Sequence, residues 1–135
     1  MLGGIDAAHV YIVCGYTDMR RSIDGLAAII KQNFGCNPYD GSLFLFCGKK
    51  SDRIKGLLWD EDGVLLLYKR LDNGRFQWPR SEEEIQSLSN EQFVWLMQGL
   101  SIYQPKAIRK NTPNDIVKKQ KHFSSVLMCK KAEKP

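Results

Sequence analysis

The sequence has few of the residues and motifs that mark small enzymes. Its two histidines, His9 and His122, lie far apart and have no obvious partners. No serine stands in a nucleophile elbow, and no glycine-rich phosphate loop occurs. No two of the four cysteines lie at metal-knuckle spacing, and there is no C-x-x-C motif. These absences exclude the common hydrolase, nucleotide-binding and zinc-finger signatures, so we expect no catalytic residue, no metal and no cofactor.

Long apolar runs are also missing. The longest of them, such as VLLLY at 64–68, are far too short to span a bilayer. The N-terminal stretch MLGGIDAAHV has neither the basic region nor the apolar region of a signal peptide. We therefore expect a cytoplasmic protein without membrane contact.

Positive charge is present, but it is unevenly distributed along the 135 residues. Residues 49–80 carry eight basic and five acidic side chains, and residues 101–135 carry nine basic and two acidic ones. Residues 81–100 carry four acidic side chains and no basic one. A basic central block followed by a basic tail favours a polyanionic partner such as DNA. The alternative is a solvated surface that only keeps the protein soluble.

The first half of the chain alternates strand and helix patterns. HVYIVC at 9–14 is β-branched and apolar, which predicts a strand. Apolar residues then recur at helical spacing from Ile23 to Phe34, with Ser22 or Asp18 as a candidate cap and Gly35 as the terminator. SLFLFCG at 42–48 is apolar on both faces, which predicts a central strand covered on both sides.

The second half predicts a hairpin and a further helix. RIKGLLWD (53–60) and VLLLYKRL (64–71) flank the turn EDG, where we expect Gly63 to need a positive φ. A second turn leads into RFQWP, which predicts a short strand that ends at Pro79. Ser89 and Gln92 match a capping box ahead of a helix that ends near Gly99.

Together these elements predict an α+β fold with a mainly antiparallel sheet of four to five strands and two packed helices. We expect residues 1–105 to form one domain. The lysine-rich residues 106–135 predict a basic C-terminal tail that is flexible or marginally helical, with the helical pattern at 114–129.

Two acidic clusters have competing interpretations. Paired carboxylates in Asp60, Glu61 and Asp62 could hold Mg²⁺ for phosphoryl chemistry. However, WDEDG stands where a tight turn is needed, and Asp before Gly is typical of turns. Glu82, Glu83 and Glu84 precede a helix and form either a solvated acidic face or a docking surface for a basic partner.

Basic residues cluster at two turns that are candidates for phosphate contact. One follows Gly48, and the other lies within YKRLDNGRFQW at 68–78. Alternation along these strands predicts one packed face that holds the aromatic side chains, including Tyr68, Phe76 and Trp78, and one basic outer face. The candidate nucleic-acid contacts are Lys49, Lys50, Arg53, Lys55, Lys69, Arg70 and Arg75.

Several unusual strings occur in a fixed order between residues 9 and 105: TDMR, GLAA, DRIK, W-D-x-D-G and YKRL-x-x-GRF-x-WP. In these strings the chain resembles the TnpB-type accessory proteins, also called Orf2, of the bacterial insertion-sequence family numbered sixty-six. The resemblance implies a small protein that is encoded beside a separate, larger transposase. It also implies that the protein assists transposition and has no established catalytic activity of its own.

The chain departs from the family pattern after the last helix. Family members often have an arginine-rich end there, whereas this chain reads LSIYQPKAIRK. If the arginine-rich end contacts nucleic acid, Lys106, Arg109 and Lys110 take its place. The family context also makes Arg20 and the acidic residues 82–84 candidate contacts for the transposase.

Three hypotheses remain open from the sequence. The first is a non-catalytic accessory protein that binds DNA, the transposase, or both. The second is a metal-dependent nuclease or strand-processing enzyme that uses Asp60, Asp62 and their neighbours. The third is a purely structural transposase partner that does not touch DNA.

Overall fold

A computed structural model of the chain describes residues 7–80, 84–106 and 108. Its elements in chain order are β1 (Val10–Val13), α1 (Ile23–Phe34), β2 (Leu43–Cys47), β3 (Arg53–Asp60), β4 (Gly63–Arg70), β5 (Ile85–Leu88) and α2 (Asn90–Met97). The five strands form one sheet in the order β4-β3-β2-β1-β5. β1 and β2 pair in parallel, while the other neighbouring pairs are antiparallel. The predicted α+β class, with a mainly antiparallel sheet and two helices, is confirmed.

β2 lies at the centre of the sheet and is covered on both faces, as its apolar pattern predicts. All five of its residues are buried. Phe44 and Phe46 belong to a first core, which the apolar stripe of α1 covers. Leu43 and Leu45 belong to a second core on the opposite face, together with residues of α2 and of the irregular segments 71–80 and 100–103.

α1 begins after Ser22 and ends at Gly35, as the sequence predicts, but the predicted side-chain cap does not form. Gly35 adopts the left-handed conformation with φ of 62°, and its N–H donates to the carbonyl of Lys31 at 3.1 Å. Ser22 occupies the N-cap position, yet its side chain makes no capping hydrogen bond. The carboxylate of Asp18 accepts hydrogen bonds from Arg20 instead, so a capping role for Asp18 is wrong.

α2 begins with the predicted capping box. Ser89 Oγ accepts the backbone N–H of Gln92 at 3.1 Å, and Gln92 Oε1 accepts the backbone N–H of Ser89 at 3.0 Å. The two bonds satisfy donors that the first turn of a helix otherwise leaves unpaired. The capping-box prediction is therefore confirmed in both of its bonds.

Two elements between β4 and α2 differ from the prediction. RFQWP is not a strand: the irregular segment 71–80 crosses the second core and bonds to the turn before β3, with Phe76 N donating to Ser51 O at 2.7 Å. The fifth strand is instead β5, which pairs with β1. Alternation of polar and apolar side chains in RFQWP resembles the pattern of a strand and causes the wrong prediction. The acidic residues before Ile85 are not typical of a strand, so β5 is not predicted.

The β3–β4 hairpin is confirmed, with Asp60 paired opposite Gly63, but its strained residue is not the glycine. Gly63 does not have a positive φ, whereas Glu61 has φ of 56°. Asp62 N–H donates to the carbonyl of Asp60 across Glu61, which makes Glu61 the centre of a three-residue turn with positive φ. An L-residue with a side chain is disfavoured in this conformation.

We predict that Glu61→Gly stabilises the protein by about 0.5–1 kcal/mol. Relief of left-handed strain contributes about 1–2 kcal/mol, and the added chain entropy of glycine offsets about 0.5–1 kcal/mol of it. Thermal unfolding followed by circular dichroism measures the change. Gly63→Val is the matched control, since no atom lies within 4 Å of a Cβ at Gly63, and it should leave the melting temperature nearly unchanged. A lower melting temperature for Glu61→Gly would contradict the turn assignment.

Candidate nucleic-acid interface

The register of the β3–β4 hairpin places the predicted basic residues on both faces of the sheet, not on one. Residues that pair directly opposite each other share a face of the sheet. Arg53 lies opposite Arg70, and Lys55 lies opposite Tyr68, so these side chains project to the α1 side. Lys69 lies opposite Ile54, which belongs to the second core, so Lys69 projects to the other side.

Two of the predicted basic contacts have partners within the protein. Lys55 Nζ donates to the carbonyl of Arg21 at 2.8 Å and lies 5.7 Å from the ring centroid of Tyr68. Arg53 Nε lies 3.2 Å from Asp52 Oδ1, and this hydrogen bond lowers the pKa of the Asp52 carboxyl. Lys55 and Arg53 are therefore less available to an external phosphate than basic side chains without an internal partner.

The aromatic side chains of the 68–78 stretch divide between core and surface. Phe76 and Trp78 are buried in the second core at 3% and 5% exposure, which confirms their predicted place. Trp78 Nε1 also donates to the carbonyl of Val13 at 2.8 Å. Tyr68 is 54% exposed, so its predicted burial is wrong. The cause is its position near the end of an edge strand of the sheet.

A cleft of about 380 Å³ lies along segment 75–80. Lys49, Arg75 and Arg80 line its walls, and among the described residues that line it none is acidic. The buried side chains of Phe76 and Trp78 also line it. The cleft therefore brings three cationic side chains and two aromatic residues together in one concavity.

Backbone hydrogen bonds bring the parts of this cleft together from distant positions in the chain. The bond from Phe76 N to Ser51 O fixes segment 75–80 against the turn that carries Lys49. Gly15 N donates to the carbonyl of Pro79 at 2.8 Å, which places Tyr16 beside Arg80. The guanidinium of Arg80 lies 5.7 Å from the ring centroid of Tyr16.

Two tyrosines at the cleft are exposed, and hydrogen bonds hold one of them in place. Tyr16 is 42% exposed and Tyr103 is 60% exposed. The hydroxyl of Tyr103 is 2.9 Å from Gln86 Nε2, and Gln86 is itself buried. The backbone N–H of Tyr103 donates to Ser101 Oγ at 3.1 Å. Sequence reasoning misses Arg80, Tyr16 and Tyr103 as site residues, because contacts between distant parts of the chain bring them together.

The remaining candidate contacts lie outside the cleft. Lys50 is exposed on the same turn as Lys49, and Lys106 is exposed near the end of the described chain. Arg109, Lys110, Glu82 and Glu83 lie outside the described residues, as does nearly all of the predicted tail. Glu84 is half-buried, and its carbonyl accepts the N–H of Cys14 at 2.8 Å.

Arg20 forms an exposed ion pair with Asp18. Its Nη2 lies 2.8 Å from Asp18 Oδ2, and 91% of the Arg20 side chain is exposed. Hydrogen bonds from the side chain and backbone of Arg20 lower the pKa of the Asp18 carboxyl to about 2. The pair lies at the surface, in the segment that precedes α1.

Other groups with chemical potential have structural surroundings. Asp60, Glu61 and Asp62 are exposed at the hairpin tip, as the turn interpretation predicts. Burial raises the pKa of the Cys14 and Cys47 thiols to about 12, so both remain protonated near neutral pH. Across residues 7–80 and 84–106, no group of three or more His, Cys, Asp or Glu side chains is arranged to hold a metal ion.

Comparison with known proteins identifies the family. The profile described as "IS66 Orf2 like protein" matches residues 8–107. The chain belongs to this family. Membership gives this IS66 Orf2-like protein an accessory role in the transposition of an insertion sequence, in agreement with the resemblance in the sequence. No solved structure is significantly similar to it.

Two relatives come from Sinorhizobium fredii. The IS66 Orf2-like protein is 36% identical over 106 residues to "Uncharacterized protein y4hO". The aligned region covers 78% of this chain and 92% of that protein. It is 31% identical over 100 residues to "Uncharacterized protein y4jC". The aligned region covers 74% of this chain and 86% of that protein. The similarity therefore extends over nearly the whole length of both relatives. Within the described residues, no helix has the length and apolar character needed to cross a membrane.

We predict that Phe76→Ala and Trp78→Ala each destabilise the IS66 Orf2-like protein by about 3–5 kcal/mol. Each change removes a large buried side chain and leaves a cavity in the second core. Urea denaturation followed by fluorescence measures the loss. Tyr68→Ala is the control, because this ring is largely exposed, and it should cost about 0.5 kcal/mol or less. Equal losses at Tyr68 and Trp78 would contradict the assignment of the two rings.

Proposed function

We propose that this IS66 Orf2-like protein acts in the cytoplasm and assists transposition by binding the DNA backbone in its cationic cleft. The observation that carries the proposal is the convergence of Lys49, Arg75 and Arg80 on one concavity whose described lining has no acidic side chain. Phosphates release condensed counterions when such side chains neutralise them, and this release favours binding. Contacts of this kind position a protein on DNA without reading its sequence.

Each basic side chain has a distinct part in the proposed contact. Arg75 and Arg80 present planar guanidinium groups that can bind a phosphate through two hydrogen bonds. Lys49 offers a compact charge on the exposed turn before β3. Lys50 extends the site on the same turn, and Lys69 projects to the same side of the sheet. Arg53, Lys55 and Arg70 project to the α1 side and are secondary to the cleft.

We predict weak DNA binding with a dissociation constant of roughly 10⁻⁴–10⁻⁶ M that depends little on sequence. The triple substitution Lys49→Gln, Arg75→Gln and Arg80→Gln should reduce the slope of log K against log salt concentration by about one unit per lost contact. Fluorescence anisotropy with a labelled duplex across a salt series measures this slope.

The matched control removes the same charge elsewhere. Arg20→Gln, Arg21→Gln and Lys31→Gln lie before or within α1, outside the cleft lining. This control should change the slope much less than the cleft variant does. An unchanged slope in a folded cleft variant would reject DNA binding at this site.

Transposase docking is a second candidate function, which the exposed edge of β4 favours. β4 is an outer strand of eight residues whose far side pairs with no described strand. Leu65 is 37% exposed in the middle of it, beside partly exposed leucines. An extended segment of the transposase can add to such an edge through main-chain hydrogen bonds.

We predict that Leu65→Lys weakens co-purification with the transposase of the same element at least about tenfold. A charge on an edge strand opposes the addition of another strand. The cleft variant is the reciprocal control, since it should retain the transposase and lose DNA. Normal co-purification of the folded Leu65→Lys protein would remove β4 as the docking edge.

A further inference from the structure

We propose that the cleft binds single-stranded DNA and that Tyr16 and Tyr103 stack on its unpaired bases. This inference rests on the proposed function, because it names the form of DNA that the cationic cleft receives. It adds a role for the aromatic side chains that phosphate binding alone leaves unexplained.

The first argument is that the Tyr103 ring is held in place before any ligand binds. Its hydroxyl is occupied by the buried amide of Gln86, and its backbone N–H by Ser101 Oγ. With the polar end occupied, the exposed part that remains for a partner is the ring. A preorganised ring loses little conformational entropy on binding, and its face attracts a planar base.

The second argument is that Tyr16 places another ring beside a cation at the same cleft. Arg80 lies 5.7 Å from the centroid of this ring, and both residues line the cleft. Alternating aromatic and cationic groups are the elements by which proteins hold single strands: rings stack on bases while cations follow the phosphates.

The third argument concerns access. The bases of a duplex are stacked inside the helix, so their faces cannot reach a ring inside a cleft. An unpaired base can enter a concavity of about 380 Å³ that Tyr16 and Tyr103 line. The cleft therefore favours single strands over duplexes, while its cations attract both.

Fluorescence anisotropy with three labelled probes at one salt concentration tests the inference. The probes are an oligothymidine of about 12 nucleotides, within the usual length range of single-strand sites, an abasic strand with the same number of phosphates, and a duplex of that length. We expect the oligothymidine to bind at least about tenfold more tightly than either of the other probes, since stacking of one base commonly contributes this much or more.

Tyr16→Ala and Tyr103→Ala, measured separately, should each weaken oligothymidine binding about tenfold and leave abasic binding unchanged. Two separate variants keep the test decisive if loss of the Gln86 contact unfolds one of them. Tyr68→Ala is the matched control, because this exposed tyrosine lies on the α1 side and outside the cleft. It should leave binding to all three probes unchanged.

The outcomes separate the inference from the function on which it rests. Equal binding of the oligothymidine and abasic strands, lost together in the Lys49, Arg75 and Arg80 variant, would overturn base stacking and leave backbone binding intact. Duplex binding as tight as oligothymidine binding would also overturn the single-strand preference. Absence of binding to all three probes would overturn both proposals.

Discussion

Burial of β2 on both faces is the constraint on which the rest of the structure depends. Its apolar residues need two covers, and α1 supplies one of them in the crossover between β1 and β2. The second cover includes the short helix α2 and the irregular segments 71–80 and 100–103. An irregular cover cannot satisfy its own backbone, so it must bond to neighbouring turns. The bond from Phe76 N to Ser51 O meets this need and also brings Arg75 to the turn that carries Lys49.

Segment 71–80 thus contributes residues both to the second core and to the cationic cleft. Phe76 and Trp78 face inward, and the residues between and beside them are left exposed, including Arg75 and Gln77. The bond from Trp78 Nε1 to Val13 O holds the segment against the end of β1. The bond from Gly15 N to Pro79 O holds the end of the segment beside the residues that follow β1. Cavity-forming changes in this core should therefore disturb the cleft, whereas changes of charge in the cleft should spare the core.

The accuracy of sequence-based prediction in this protein depends on how local each signal is. The positions of α1, of the β3–β4 hairpin and of the capping box of α2 depend on neighbouring residues, and all three positions are predicted correctly. β5 escapes prediction because it is four residues long and follows an acidic run, and its pairing with β1 is a long-range contact. Lys49 and Arg75 are predictable from charge. Arg80 and the two tyrosines are not, because their proximity depends on tertiary hydrogen bonds that leave no periodic pattern.

The two proposed contact surfaces do not overlap, and this bears on how an accessory protein can assist transposition. Leu65 lies in the middle of β4 and is not among the residues that line the cleft. A transposase strand added at this edge therefore leaves Lys49, Arg75 and Arg80 accessible to DNA. Binding of both partners at once would make their encounter intramolecular and raise the effective concentration of the transposase at DNA. In that arrangement even weak contacts with the DNA backbone are sufficient, because the tether between the partners supplies the affinity that the individual contacts lack.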